Sequence, residues 1–240
     1  MPTRRQFIHS ILFASAAIAA PAAFGRTISG IPWSPGLADQ PALPDSTQTF
    51  FTAAERACVR AITARLIPSD ETGPGADEAN VVAFIDTQLA GFYGRGQRWY
   101  MKGPFLEGTD EQGYQFERPP AGLYRMAIAA LDEHCRRTHG DKTFAELDTS
   151  LQDDTLSAME EGKLDFEGLS ASAFFELILD NTIEGFFSDP IYGGNRDMIG
   201  WRLVGFPGAR YDYRDYLDHD GKRLDIPPVG LAGRPEWKAP

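Results

Sequence analysis

Apolar residues recur every three or four positions in much of this chain, and no stretch makes a convincing strand by alternating apolar and polar residues in twos. That single property excludes a half-buried sheet as the main framework and points to packed amphipathic helices. The clearest run starts at Thr52. Glu55 stands three residues later, a capping-box spacing, and Ala54, Ala57, Cys58, Ala61, Ile62 and Leu66 follow at helical intervals up to Pro68. Asp77 to Leu89 predicts a second helix with Val81, Val82, Phe84, Ile85 and Leu89 facing inward. Pro119-Pro120 opens a third, Ala121 to Thr138, with proline at the tolerated first turn and Leu123, Met126, Ala127, Ala130 and Leu131 as its stripe. Short helices are expected near Thr143–Leu147 and Leu151–Glu161. Ser170 to Phe187 is the strongest candidate for the centre of the core, because Phe174, Phe175, Leu177, Ile178, Leu179 and Ile183 give it a broad apolar face.

Glycine and proline divide the rest. Residues 26–47 carry Pro32, Pro35, Pro41 and Pro44 and read as an extended arm. Residues 91–118 are irregular, with Trp99, Tyr100, Phe105, Tyr114 and Phe116 among glycines. From about Leu217 onward the chain is a proline-rich tail. The expected architecture is all-α: a single irregular helical domain, 48–240, with a long Pro/Gly-rich N-terminal arm and a C-terminal tail.

The first 25 residues are set apart from the fold. Arg4-Arg5-Gln6-Phe7-Ile8, an apolar run from Ile11 to Ala20 and small residues to Gly25 make a secretory signal. Its adjacent arginines resemble the twin-arginine signature; a general secretory signal or a basic-tipped anchor is the alternative. The apolar run is short for a membrane span. An exported chain meets an oxidising compartment, so Cys58 and Cys135 are either a disulfide between two helices or two independent buried thiols. Two cysteines do not suffice for an iron–sulfur cluster.

Charge excludes further classes. The formal net charge is −11, and −13 once Arg4 and Arg5 are removed with the signal. A nucleic-acid partner or adhesion to anionic lipid would need a basic surface. Catalytic constellations are missing too. There is no Gly-x-Ser-x-Gly elbow, no phosphate-cradling glycine loop after a strand, and no His/Cys/Asp/Glu set with metal-ligand spacing. His134 and His139 are five residues apart at a helix end, where cations favour the dipole. His219 lies among Asp215, Asp218 and Asp220 in a solvated acidic loop.

One region stays conspicuous. Phe186 to Tyr216 holds eight aromatic residues in 31, about twice the chain's average, with Arg196, Arg202, Arg210 and Arg214 among them. Backbone chemistry explains its glycines. Asp189-Pro190 stops the long helix, Gly193-Gly194 permits close approach, and Asn195 is expected to cap a short helix through Ile199. Aromatics and arginines of this kind build either protein–protein hot spots or a local aromatic core with surface arginines. Composition alone does not choose between them.

The segment Asp189-Pro190-Ile191-Tyr192-Gly193-Gly194-Asn195-Arg196-Asp197, continued by Gly200-Trp201 and Gly205-Phe206-Pro207-Gly208, resembles the signature of the gluconate 2-dehydrogenase subunit 3 family. About 20 residues in register carry the likeness. The resemblance implies a non-catalytic small subunit of a membrane-associated sugar or polyol dehydrogenase complex; the alternatives are an autonomous periplasmic redox enzyme or a free-standing binding module. It implies no cofactor in this chain; FAD, an iron–sulfur cluster and haem c are expected in the partner subunits. Those partners are an FAD-dependent large subunit, escorted through twin-arginine export, a multihaem cytochrome c, and the twin-arginine translocase. The implied place is the periplasm, with the inner membrane reached only through the complex. A candidate partner face follows: Tyr192, Gly193, Gly194, Asn195, Arg196, Asp197, Trp201, Phe206, Pro207 and Arg210.

Overall fold

The computed structural model describes residues 49–231 except 98, 107, 110–113, 115, 167, 211–216 and 219–225, all within one compact unit. The expected signal with Arg4 and Arg5, the arm 26–47 and most of the tail lie outside the described residues.

Among the described residues, six α-helices make the body. Helix α1, Ala53–Leu66, begins with the expected capping box: Thr52 Oγ1 accepts from Glu55 N (3.3 Å) and Thr52 N donates to Glu55 Oε2 (2.8 Å). Its buried stripe is Cys58, Val59, Ile62 and Thr63, so the inward face is turned from the expected one, and Ala54 and Ala57 face solvent. The ion pair of Arg65 with Asp153, at 2.6 and 2.8 Å, ties α1 to the later helix Thr149–Glu160.

Helix α2, Val81–Ala90, starts four residues later than its apolar pattern predicts. Tertiary capture sets that boundary. A helix running from Asp77 would need the Ala79 carbonyl for its own ladder. That carbonyl instead accepts from Arg196 N (3.1 Å), and Asn80 adopts a left-handed conformation with φ 61°. The inward set Val81, Val82, Phe84, Ile85 and Leu89 is buried as expected.

Helix α3, Pro120–Thr138, follows the proline pair, and Gly140 at φ 68° lies just past its end. A 3-10 turn, Phe144–Glu146, is capped by Thr143, and Asp132 of α3 accepts from Phe144 N (3.0 Å). Helix α4 spans Thr149–Glu160 with Asp148 as its N-cap. Two paired two-residue strands, Asp165–Phe166 (β1) and Leu169–Ser170 (β2), were not expected. They turn at Gly168, φ 73°, and are too short for alternation to show.

Helix α5, Ala171–Phe187, capped by Ser170, packs on α1, α2, α3 and α4 and is the centre of the core as predicted. Phe174 is fully buried with its ring T-shaped against Tyr124 at 5.3 Å. Ile183, expected inward, is exposed. The face it was assigned belongs to Asn181, Thr182, Gly185 and Phe186. Asn181 Oδ1 accepts from both Tyr93 Oη (3.0 Å) and Tyr124 Oη (2.8 Å), which satisfies the polar groups brought into the core. Helix α6, Ile199–Val204, ends the body. Among the described residues no helix is long and apolar enough to cross a membrane.

Candidate functional site

The Ser188–Arg210 segment wraps the C-terminal end of α5, and its glycines mark where backbone meets backbone. A Cβ on Gly194 would lie 2.1 Å from the carbonyl oxygen of Gly185, and one on Gly200 would lie 2.2 Å from that of Phe186. Gly185 itself faces the Phe84 ring and Val81 of α2, at 2.9 and 3.1 Å from the position of a Cβ. The segment therefore reaches the helix because Gly194 and Gly200 carry no side chain, while the missing side chain of Gly185 lets α2 pack close. The isolated glycine inside the apolar pattern of α5 marks the close approach of α2.

Asn195 is the keystone, though in a different role from the expected N-cap. It is fully buried at φ 45°. Its Nδ2 donates to Ser188 O (2.8 Å), and its Oδ1 accepts from Gly200 N (2.8 Å) inside the first turn of α6. It thus caps a helix that starts four residues away and pins that helix to the end of α5. The intended short helix is a 3-10 turn, Arg196–Met198, with Asp197 and Met198 also left-handed at φ 56° and 58°. Three non-glycine residues in this region within four positions are a local concentration of backbone strain, of the kind kept where a surface has a task. On the other side, Asn80 Nδ2 donates to Gly193 O (3.1 Å), fastening the segment to α2.

A second fastening is absent from the expected set. Asp189 Oδ1 accepts from Ile191 N (3.0 Å), and its Oδ2 accepts from Leu231 N (2.7 Å). The tail returns here as a short extended piece. Ala209 N donates to Val229 O (2.6 Å), Val229 N donates to Pro207 O (3.2 Å), and Arg210 Nη2 donates to Pro227 O (2.6 Å). Val229 is fully buried, and a Cβ on Gly208 would fall 2.1 Å from its carbonyl oxygen. The pairing joins positions 21 residues apart through a contact that leaves no periodic mark in sequence.

The ten candidate interface residues thus divide. Gly193, Gly194, Asn195 and Trp201 are buried. Trp201 Nε1 donates to Phe187 O (2.7 Å), and the indole meets the Phe206 ring edge-on at 5.1 Å. These four build the scaffold. Tyr192, Arg196, Asp197 and Phe206 are exposed, and Pro207 and Arg210 are half-buried. Ile191, Leu203 and Val204 add exposed apolar surface from the same segment.

Chemistry elsewhere is muted. Cys58 on α1 and Cys135 on α3 are both buried free thiols of the core. Burial pushes Cys135 up to about 11 and raises Cys58 well above the ordinary thiol range, with the Asp132 carboxylate adding to both. Neither is a ready nucleophile. Burial lowers His134, with Arg137 contributing. No group of three or more His, Cys, Asp or Glu side chains among the described residues could hold a metal ion.

Searches of curated proteins and of solved structures give no match. The family model described as gluconate 2-dehydrogenase subunit 3 matches residues 53–208. The match opens at the first residue of α1 and closes at the glycine against which Val229 packs, so it takes in the helical body and the whole fastened segment. With well over half of its length covered by that model, the chain belongs to the gluconate 2-dehydrogenase subunit 3 family.

Proposed function

We propose that the chain is a non-catalytic small subunit that escorts and stabilises the FAD-containing large subunit of a periplasmic sugar or polyol dehydrogenase, passing with it through twin-arginine export. The family name is that of a dehydrogenase subunit and implies association with other subunits. The observation that carries the rest is the construction of the Ser188–Arg210 segment. Buried groups hold a strained backbone so that Tyr192, Arg196, Asp197 and Phe206 stand outward. Tyrosine and arginine presented on a rigid support are the usual anchors of a protein interface. The Arg4-Arg5 signal supplies the export reading. FAD, an iron–sulfur cluster and haem c belong, on this reading, to the flavoprotein and to a multihaem cytochrome c partner.

Co-expression tests it. The large subunit is produced with the wild-type chain, with an R4K/R5K variant, or alone, and its activity is measured in periplasmic and cytoplasmic fractions. Periplasmic activity is expected only with the wild-type chain. Equal periplasmic activity in all three arms would remove the escort role.

A further inference from the structure

Beside the fastened segment lies an open cleft of about 550 Å³ between the C-terminal end of α2 and the 3-10 turn Pro190–Tyr192. Phe92, Tyr93, Trp99 and Tyr192 give it aromatic walls, and Gln88 of α2 lines it too. Phe92, Trp99 and Tyr192 are 60%, 38% and 52% exposed, an unusual amount of ring surface to leave in water. None of the lining residues is charged. That composition suits neither an anion nor a metal ion. Flat rings, with the Gln88 amide, the Trp99 indole N–H and the Tyr192 hydroxyl as donors, suit an extended proline-containing peptide. Such a peptide lays its pyrrolidine rings on aromatic faces, and its carbonyls remain free to accept.

The chain carries such a peptide: Pro41-Ala42-Leu43-Pro44, followed by Asp45. It is tethered close by. Phe50 N and Phe51 N both donate to Asp86 Oδ1 of α2, at 2.9 and 2.8 Å, and Gln88 lies two residues further along that helix, on its other side. The six steps from Pro44 to Phe50 span about 19 Å in an extended polyproline conformation. The helix rises about 7.5 Å from Asp86 to Gly91 and turns about 140° between them, so the tether also passes round the helix; the combined path of about 17 Å is within reach. Arg95, whose guanidinium sits 5.5 Å from the centroid of the Phe92 ring, offers a cation to Asp45. A short tether also provides an effective concentration of order millimolar, so a weak site suffices. From this we infer that the aromatic cleft is the docking site of the chain's own Pro41–Pro44 segment.

The test uses the isolated full chain, so its outcome is independent of the escort reading. A photoreactive p-benzoylphenylalanine replaces Leu43, and cross-links are mapped by mass spectrometry after irradiation. The expected product has monomer mass and joins position 43 to residues 87–99 or to Tyr192. Its yield is expected to fall at least fivefold in the P41A/P44A background, with circular dichroism unchanged. Cross-links elsewhere in the chain, a product of dimer mass, or a yield indifferent to the two prolines would each overturn the assignment.

Discussion

The helical body and the Ser188–Arg210 segment are held by opposite means. In the body, large apolar side chains fill the space between helices, and backbone polar groups are spent on the helices themselves. In the segment, backbone lies directly on backbone, and polar side chains, Asn80, Asp189 and Asn195 among them, make the fastenings. Side-chain packing spreads its stabilisation over many weak contacts. Backbone fastening concentrates it in a few positions with nowhere to move. The two regions should therefore respond to substitution in different ways.

The largest loss is expected from the body. Phe174→Ala removes a fully buried ring packed on Tyr124 and should destabilise by about 3–5 kcal/mol. Chemical denaturation followed by circular dichroism would show this as a lower midpoint with the slope retained. A loss under 1 kcal/mol would mean that the centre of α5 is not the core it is taken to be.

Gly194→Ala comes next and sharpens the contrast, since it adds only one methyl. That methyl would sit 2.1 Å from a helix carbonyl, where no flexible side chain can yield. A cost of about 3 kcal/mol is expected, concentrated in the segment. Hydrogen exchange at Gly200 N, held by Asn195, should accelerate far more than exchange in α3. Uniform acceleration in both places would show that the segment and the body open together.

What could be read from sequence follows the same division. The capping box at Thr52, the inward face of α2 and the central place of α5 were legible because each rests on local periodicity. The turned stripe of α1, the late start of α2 and the exposure of Ile183 were not, because each was decided by a partner distant in the chain. Ala79 ends up bonded to Arg196, which no window around Ala79 could reveal. At the candidate site the motif was visible, and so was the need for glycine. The sorting of its residues into scaffold and face was not. Trp201 looks like an interface anchor by type, yet its indole N–H is committed to Phe187 O. Val229 and the second fastening by Asp189 had no sequence signal beyond an aspartate before a proline.

Asn195→Ala probes the polar fastening alone. It leaves Ser188 O and Gly200 N without their buried partner, a loss of about 1–3 kcal/mol. Fluorescence of Trp201 should shift to the red as α6 loosens, while the far-ultraviolet signal of the body stays. An unshifted spectrum would argue that the glycines alone hold the segment.

A smaller effect concerns pH. Burial raises the Tyr93 hydroxyl from its ordinary 10.0 to about 12, although its bond to Asn181 works the other way. The unfolded chain loses this proton first, so the native state binds more protons between the two values. Its contribution is complete below pH 10 and is lost as pH rises toward 12. Tyr93→Phe should flatten the alkaline decline of the thermal midpoint between those limits. A decline of unchanged steepness would assign it to other groups, such as Cys135, which titrates late for the same reason.

The smallest effect on stability should come from Arg196→Ala combined with Tyr192→Ala. Both side chains are exposed, so their removal should change stability by no more than about 0.5 kcal/mol. On the proposed reading they are nonetheless the residues that a partner touches. Truncating one hot-spot side chain typically weakens binding by 2 kcal/mol or more. That is roughly 30-fold in the dissociation constant, measurable by titrating the purified large subunit. Asn195→Ala makes the necessary comparison, because it disturbs the support and leaves the face chemically intact. Equal loss of binding in both variants would show that the partner needs the strained backbone held in place. Loss only in the double variant would place recognition in the side chains themselves. Full binding in both would detach the Ser188–Arg210 segment from partner recognition altogether and leave it a device for closing the fold.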